Sequence, residues 1–142
     1  MEKTGIWLDK KVAYVISDDL NGHQNVEVIF SKVENYRPRG GSGTRRKGGP
    51  QDVVHDRRYL ERESHQMKSY FKEITEHLKD ASEVVIFGPA ETGQKFRKEL
   101  DENYEPIASR VSEVVITDSM SKNQMKALVR DYFANTNLGV NY

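Results

Sequence analysis

The stretch Val84-Val85-Ile86-Phe87-Gly88-Pro89 decides the architecture. Four consecutive β-branched or aromatic apolar residues that stop at Gly-Pro read as a strand buried on both faces. Both of its flanks are helical in pattern. Upstream, Leu60, Met67, Tyr70, Phe71, Ile74 and Leu78 recur at i, i+3, i+4 and i+7 spacing with charged residues between them, which predicts a long helix over 57–81. Downstream, a helix over 91–103 carries Phe96 and Leu100. A second apolar run, Val114-Val115-Ile116-Thr117, predicts another buried strand. Ser121-x-x-Gln124 then fits a capping box, opening a last helix with Met125, Leu128, Val129 and Tyr132 as its stripe. Apolar strands that alternate with helices pair in parallel and are covered on both faces.

Upstream of the long helix the pattern changes. Ile6-Trp7-Leu8 and Val12-Ala13-Tyr14-Val15-Ile16 are short strand-like runs joined at Asp9-Lys10-Lys11. Asp18-Asp19-Leu20-Asn21-Gly22 is a second turn, with Asn-Gly as its strongest signal. A third strand follows over 25–35, with Val26, Val28 and Phe30 alternating. The order is therefore β-β-β-(loop)-α-β-α-β-α: an α/β fold with a mixed sheet, in which an antiparallel meander feeds a βαβα half. That is the layout of ribonuclease-H-like domains. The 142 residues suit a single domain over 1–142, with 135–142 as a tail.

Apolar residues make up 36% and charged residues 31%, a composition that folds because its apolar residues cluster periodically. Basic and acidic side chains balance at 22 each, so net charge by itself names no partner. The absence of cysteine excludes disulfides, thiolate zinc sites and cysteine nucleophiles, and fits a cytoplasmic setting. The longest wholly apolar runs, Val12–Ile16 and Val84–Phe87, are far too short to span a membrane.

Several chemistries can be weighed and set aside. A two-metal nuclease needs converging carboxylates. Asp9, Glu61 or Glu63, and Asp118 are candidates, but the strand after the long helix ends in Gly88 where a ligand is wanted. The segment from Gly88 to Lys95 resembles a phosphate loop only superficially, because Gln94 separates Gly93 from Lys95. His23, His55, His65 and His77 lack metal-ligand spacing, and no serine sits in a Gly-x-Ser-x-Gly elbow. No metal or cofactor is implied.

The loop over 36–56 is different. It has no apolar periodicity and holds five of the ten glycines. Between Tyr36 and Pro50 it carries Arg37, Arg39, Arg45, Arg46 and Lys47 with no acid, and Arg57, Arg58 and Arg62 follow. Loops this long inside a domain are uncommon and usually functional or disordered. Glycines let backbone N–H groups approach a ligand, and arginines contact phosphates bidentately and stack on bases. A loop of this kind is expected to be mobile when free, to order on RNA and to bind with strong salt dependence.

The layout resembles the middle domain of the archaeal and eukaryotic class I release factors, their Pelota relatives and bacterial proteins of that superfamily. In release factors, a basic loop between the meander and an Arg-rich helix carries Gly-Gly-Gln, which reaches the peptidyl-transferase centre and promotes peptidyl-tRNA hydrolysis. This sequence has Gly48-Gly49-Pro50-Gln51 at the corresponding place. Pro50 departs from that pattern: it shifts the glutamine by one residue, fixes one φ and removes an N–H donor.

The resemblance implies a factor binding the ribosome, through ribosomal RNA, or tRNA, and acting in rescue, quality control or dormancy. Arg37, Arg39, Arg45, Arg46, Lys47, Arg57, Arg58 and Arg62 are its RNA-binding candidates. Gly48, Gly49 and Gln51 are the candidates for promoting hydrolysis, with non-catalytic plugging of an RNA site as the other mechanism. Without the flanking domains that read a stop codon, codon-directed termination is not expected. The competing reading is a non-catalytic protein-interaction domain of the same fold.

Overall fold

The first two strands are joined by a turn that Asp9 closes: its Oδ1 accepts from the N–H groups of Lys11 (2.8 Å) and Val12 (2.9 Å). The computed structural model describes residues 2–19, 21–32, 50–89 and 91–137. β1 is Glu2–Leu8 and β2 is Val12–Asp18. At the next turn Asp19 Oδ1 accepts from Asn21 N (2.8 Å) and His23 N (3.1 Å), and Gly22 takes φ +96°, as an Asn-Gly turn requires. The Asn21 N–H bond holds the exposed Asp19 carboxyl below its ordinary value.

β3 is Gln24–Phe30, α1 is Pro50–Glu76, β4 is Ala81–Gly88, α2 is Thr92–Asn103 and α3 is Glu105–Ala108. β5 is Val111–Ile116 and α4 is Lys122–Asn137. The sheet runs β3-β2-β1-β4-β5; β1–β2 and β2–β3 are antiparallel, β1–β4 and β4–β5 parallel. This is the expected mixed sheet with ribonuclease-H-like order.

Period-two alternation sorts the central strands between two cores. Ile6, Leu8, Val84 and Ile86 pack on one face with Tyr70, Phe71, Ile74 and Leu78 of the α1 region and Phe96 and Leu100 of α2. Trp7, Ile16, Val85 and Phe87 pack on the other face with Met125, Val129 and Phe133 of α4. The capping box closes α4 reciprocally, with Ser121 N on Gln124 Oε1 (2.8 Å) and Gln124 N on Ser121 Oγ (3.1 Å).

Four expectations are corrected. The long helix covers 50–76 rather than 57–81, because Pro50 suits a first helical position, where its missing N–H costs nothing. β3 is expected over 25–35 but stops at Phe30, with 33–35 outside the described residues. β5 begins at Val111, lies at the sheet edge and is half exposed rather than buried, with Ile116 62% exposed. α4 extends to Asn137, past the expected start of a tail at 135, and α3 is an additional short element.

Candidate functional site

α1 has 27 residues and is joined to the sheet through its second half. Lys10 Nζ meets Glu63 Oε2 at 3.1 Å, and Tyr70, Phe71 and Ile74 are buried. The Tyr70 hydroxyl donates to the Asp9 carbonyl at 3.0 Å. Burial, with smaller contributions from the Asp9 and Glu73 charges, pushes that phenol far above its ordinary value. Pro50 opens the helix thirteen residues before Glu63, roughly 20 Å at the α-helical rise. Leu60, on this first half, is 58% exposed, so the apolar stripe outruns the core.

Of the residues singled out in the sequence, Gln51, Arg57, Arg58 and Arg62 lie along this first half of α1. Arg62 is exposed. The side chains of Gln51, Arg57 and Arg58 lie outside the described residues, as do Arg37, Arg39, Arg45, Arg46, Lys47, Gly48 and Gly49 entirely. Gln51 therefore belongs to a helix start, where the sequence reading had it in a loop ending at residue 56. The first N–H groups of a helix have no partner within it, and they sit at the positive end of its dipole.

A cleft that the sequence did not reveal flanks the second half of α1. It has a volume of about 370 Å³ and lies between the end of β3 and the helix, lined by Phe30, Lys32, Arg62, His65, Gln66 and Glu73 among others. Phe30 is 70% exposed there. Its sequence signal was an aromatic within the expected third strand, with Lys32 two residues further on.

Two of the nuclease candidates have structural partners. Asp9 closes its turn, and Glu63 pairs with Lys10. A carboxylate in place of Gly88 is sterically excluded, since a Cβ there would lie 2.2 Å from the Leu8 carbonyl oxygen at φ +155°. Trp7 Nε1 donates to Thr117 Oγ1 at 3.1 Å and reaches the Asp118 carbonyl at 3.4 Å. Among the described residues no three His, Asp or Glu side chains gather as metal ligands. His23 pairs with Asp19 (3.1 Å) and His77 with Glu27 (2.5 Å). Gly88 ends β4 and Gly93 lies in the first turn of α2, near Ile86 and Val114, while Ala90 between them lies outside the described residues.

The crystal structure of the archaeal translation termination factor aRF1 matches 97% of this chain with a TM-score of 0.53 at 12% identity. The fold is aRF1-like. The chain spans 41% of the aRF1 chain, so the likeness concerns one part of that protein. No family model and no curated protein matches the sequence. Among the described residues, no helix of this aRF1-like fold is long and apolar enough to cross a membrane.

Proposed function

We propose that the chain is a translation factor corresponding to the loop-bearing middle domain of the release-factor and Pelota superfamily, and that it binds the ribosome or tRNA. The observation that carries this is the aRF1-like fold combined with α1, whose first residues stand roughly 20 Å ahead of its anchor at Glu63. That geometry suits delivery of a basic segment into an RNA crevice. Arg37, Arg39, Arg45, Arg46 and Lys47 supply phosphate contacts, and Arg57, Arg58 and Arg62 extend them along the helix. The setting is cytoplasmic, in rescue, quality control or dormancy.

In the hydrolytic version, Gly48 and Gly49 present Gln51, which positions a water against the peptidyl-tRNA ester. Backbone N–H groups stabilise the oxyanion. Water adds to the carbonyl, the ester C–O bond breaks, the ribose oxygen takes up one of the water's protons, the other passes to solvent, and the peptide leaves as a carboxylate. Pro50 starting α1 favours the plainer version, in which the segment occupies an RNA site without chemistry, because Gln51 is then held in helical geometry.

Sedimentation of the protein through a ribosome gradient at low and high salt tests the proposal. Co-migration that high salt removes, and that is lost when Arg45, Arg46 and Lys47 become Glu, is the expected result. Unchanged migration of that triple variant overturns it. Gln51→Ala separates the two versions, since peptide release collapses only in the hydrolytic one.

A protein-contact use of the same fold is favoured by one observation, the exposed apolar side chains of Leu60 and Ile116. It predicts stable purification without RNA and no ribosome co-migration at either salt.

A further inference from the structure

The cleft beside α1 has a chemistry that the loop does not account for. Its volume of about 370 Å³ falls within the range of small-ligand sites. Phe30 presents a ring that is 70% exposed, although it lies at the mouth of a cleft that could have buried it. Lys32 and Arg62 bring positive charge to the cleft, with His65 beside them, and among the described residues that line it Glu73 is the one carboxylate. An exposed aromatic beside cations is the arrangement by which single-stranded nucleic acid is held, the base stacking on the ring and the phosphates meeting the cations.

The strand and helix directions order these groups. β3 runs against α1, because Glu27 pairs with His77 beyond the helix end while Phe30 and Lys32 share the cleft with residues 62–73. Arg62, His65, Gln66 and Glu73 succeed one another at i, i+3, i+4 and i+11, on one side of the helix over roughly 16 Å. Positive charge is thus at the Arg62 end, nearer the start of α1, and negative charge at the Glu73 end. A phosphate suits the first, and a ribose hydroxyl, donating to the carboxylate, suits the second.

Building on the RNA-binding reading above, we propose that this cleft is a second RNA site, taking a single-stranded segment with one base on Phe30, its phosphate on Lys32 and Arg62, and a ribose hydroxyl on Glu73. The site is separate from the loop and makes the protein a two-point RNA binder. Charge complementarity and the exposed ring favour RNA over a protein ligand. The carboxylate favours RNA over DNA, since only RNA offers the 2′-hydroxyl.

Fluorescence anisotropy with a short labelled single-stranded RNA, and its DNA counterpart, tests this on the full chain. Phe30 is exposed, so Phe30→Ala leaves the core intact, and it should weaken RNA binding roughly tenfold. Lys32→Glu should weaken it at least as much. Glu73→Gln should remove the preference for RNA over DNA. Unchanged RNA affinity in Phe30→Ala overturns the cleft site, as does absence of RNA binding by the unmodified chain. The Arg45/Arg46/Lys47→Glu variant distinguishes the two sites. If that variant alone loses the short RNA while Phe30→Ala keeps it, the cleft falls and the loop reading stands. If the chain never co-sediments with ribosomes yet loses the short RNA on Phe30→Ala, the ribosomal reading falls and the cleft stands.

Discussion

Gly5 of β1 lies directly beneath Val129 of α4: a Cβ built on Gly5 would come within 2.3 Å of Val129 Cγ2 and 3.0 Å of its Cγ1. The glycine is what lets the helix seat on the sheet, so a single methyl group there pushes α4 off its face. Gly5→Ala should lower stability by about 1–3 kcal/mol, the usual range for overpacking. Because the clash is with a side chain, Val129→Ala in the same molecule should recover part of the loss. A thermal-unfolding double-mutant cycle would show that as favourable coupling; strictly additive losses would contradict the contact.

Gly88 provides the contrasting case. Its φ of +155° and a Cβ position 2.2 Å from the Leu8 carbonyl oxygen make the obstacle main chain. Gly88→Ala should cost at least about 2 kcal/mol, and trimming Leu8 should not restore it. Urea denaturation of Gly88→Ala alone and with Leu8→Val measures this; recovery in the double variant would count against the backbone clash.

The reciprocal bonds of Ser121 and Gln124 predict a cost of about 1 kcal/mol for Ser121→Ala, with Ser121→Asp close to the unmodified protein. Equilibrium unfolding of the three proteins checks it, and equal midpoints for Ser121→Ala and the unmodified chain would refute the cap.

Tyr70 predicts a pH effect. Its phenol is raised in the folded chain above the unfolded value of 10.0, so the folded state holds its proton over a range where the unfolded state has lost it. Stability from this group is therefore complete below pH 10 and falls as pH rises beyond it, by at most about 1.4 kcal/mol per pH unit. Tyr70→Phe should lose about 1 kcal/mol at pH 7 with the bond to Asp9 and should decline less steeply above pH 10. Parallel alkaline slopes for the two proteins would exclude Tyr70 as the cause.

Under the proposed function, Arg57 and Arg58 contribute to RNA affinity. If both contact phosphates, changing both to Gln should reduce the slope of log affinity against log salt by about 2, with little change in thermal midpoint. An unaltered salt slope would remove them from the interface.

The mixed sheet was legible because β1 and β4 are central: Trp7 and Val85 fill one core while Ile6 and Ile86 fill the other, and both apolar parities appear in the sequence. Val114-Val115-Ile116 has the same composition, yet it lies at an edge, which is a property of topology and not of the run itself. Periodicity located α1 only where Tyr70, Phe71 and Ile74 meet a core. Upstream, Leu60 is exposed and belongs to no core cluster among the described residues, so the helix start was readable only from Pro50 at a first-turn position. The cleft was not legible, since it arises from Phe30 and Arg62 meeting across more than thirty residues of intervening chain.

The anchoring of α1 makes it a lever. Behind the Glu63 anchor its buried rings are the stacked pair Tyr70–Phe71 (5.8 Å) and the tilted pair Phe71–Phe96 (5.1 Å), and Pro50 stands twenty residues from Tyr70, roughly 30 Å. A tilt of about 5° about Tyr70 displaces the far end by roughly 3 Å, about the length of one hydrogen bond. The position of the first turns of α1 thus depends on how firmly its buried second half is held.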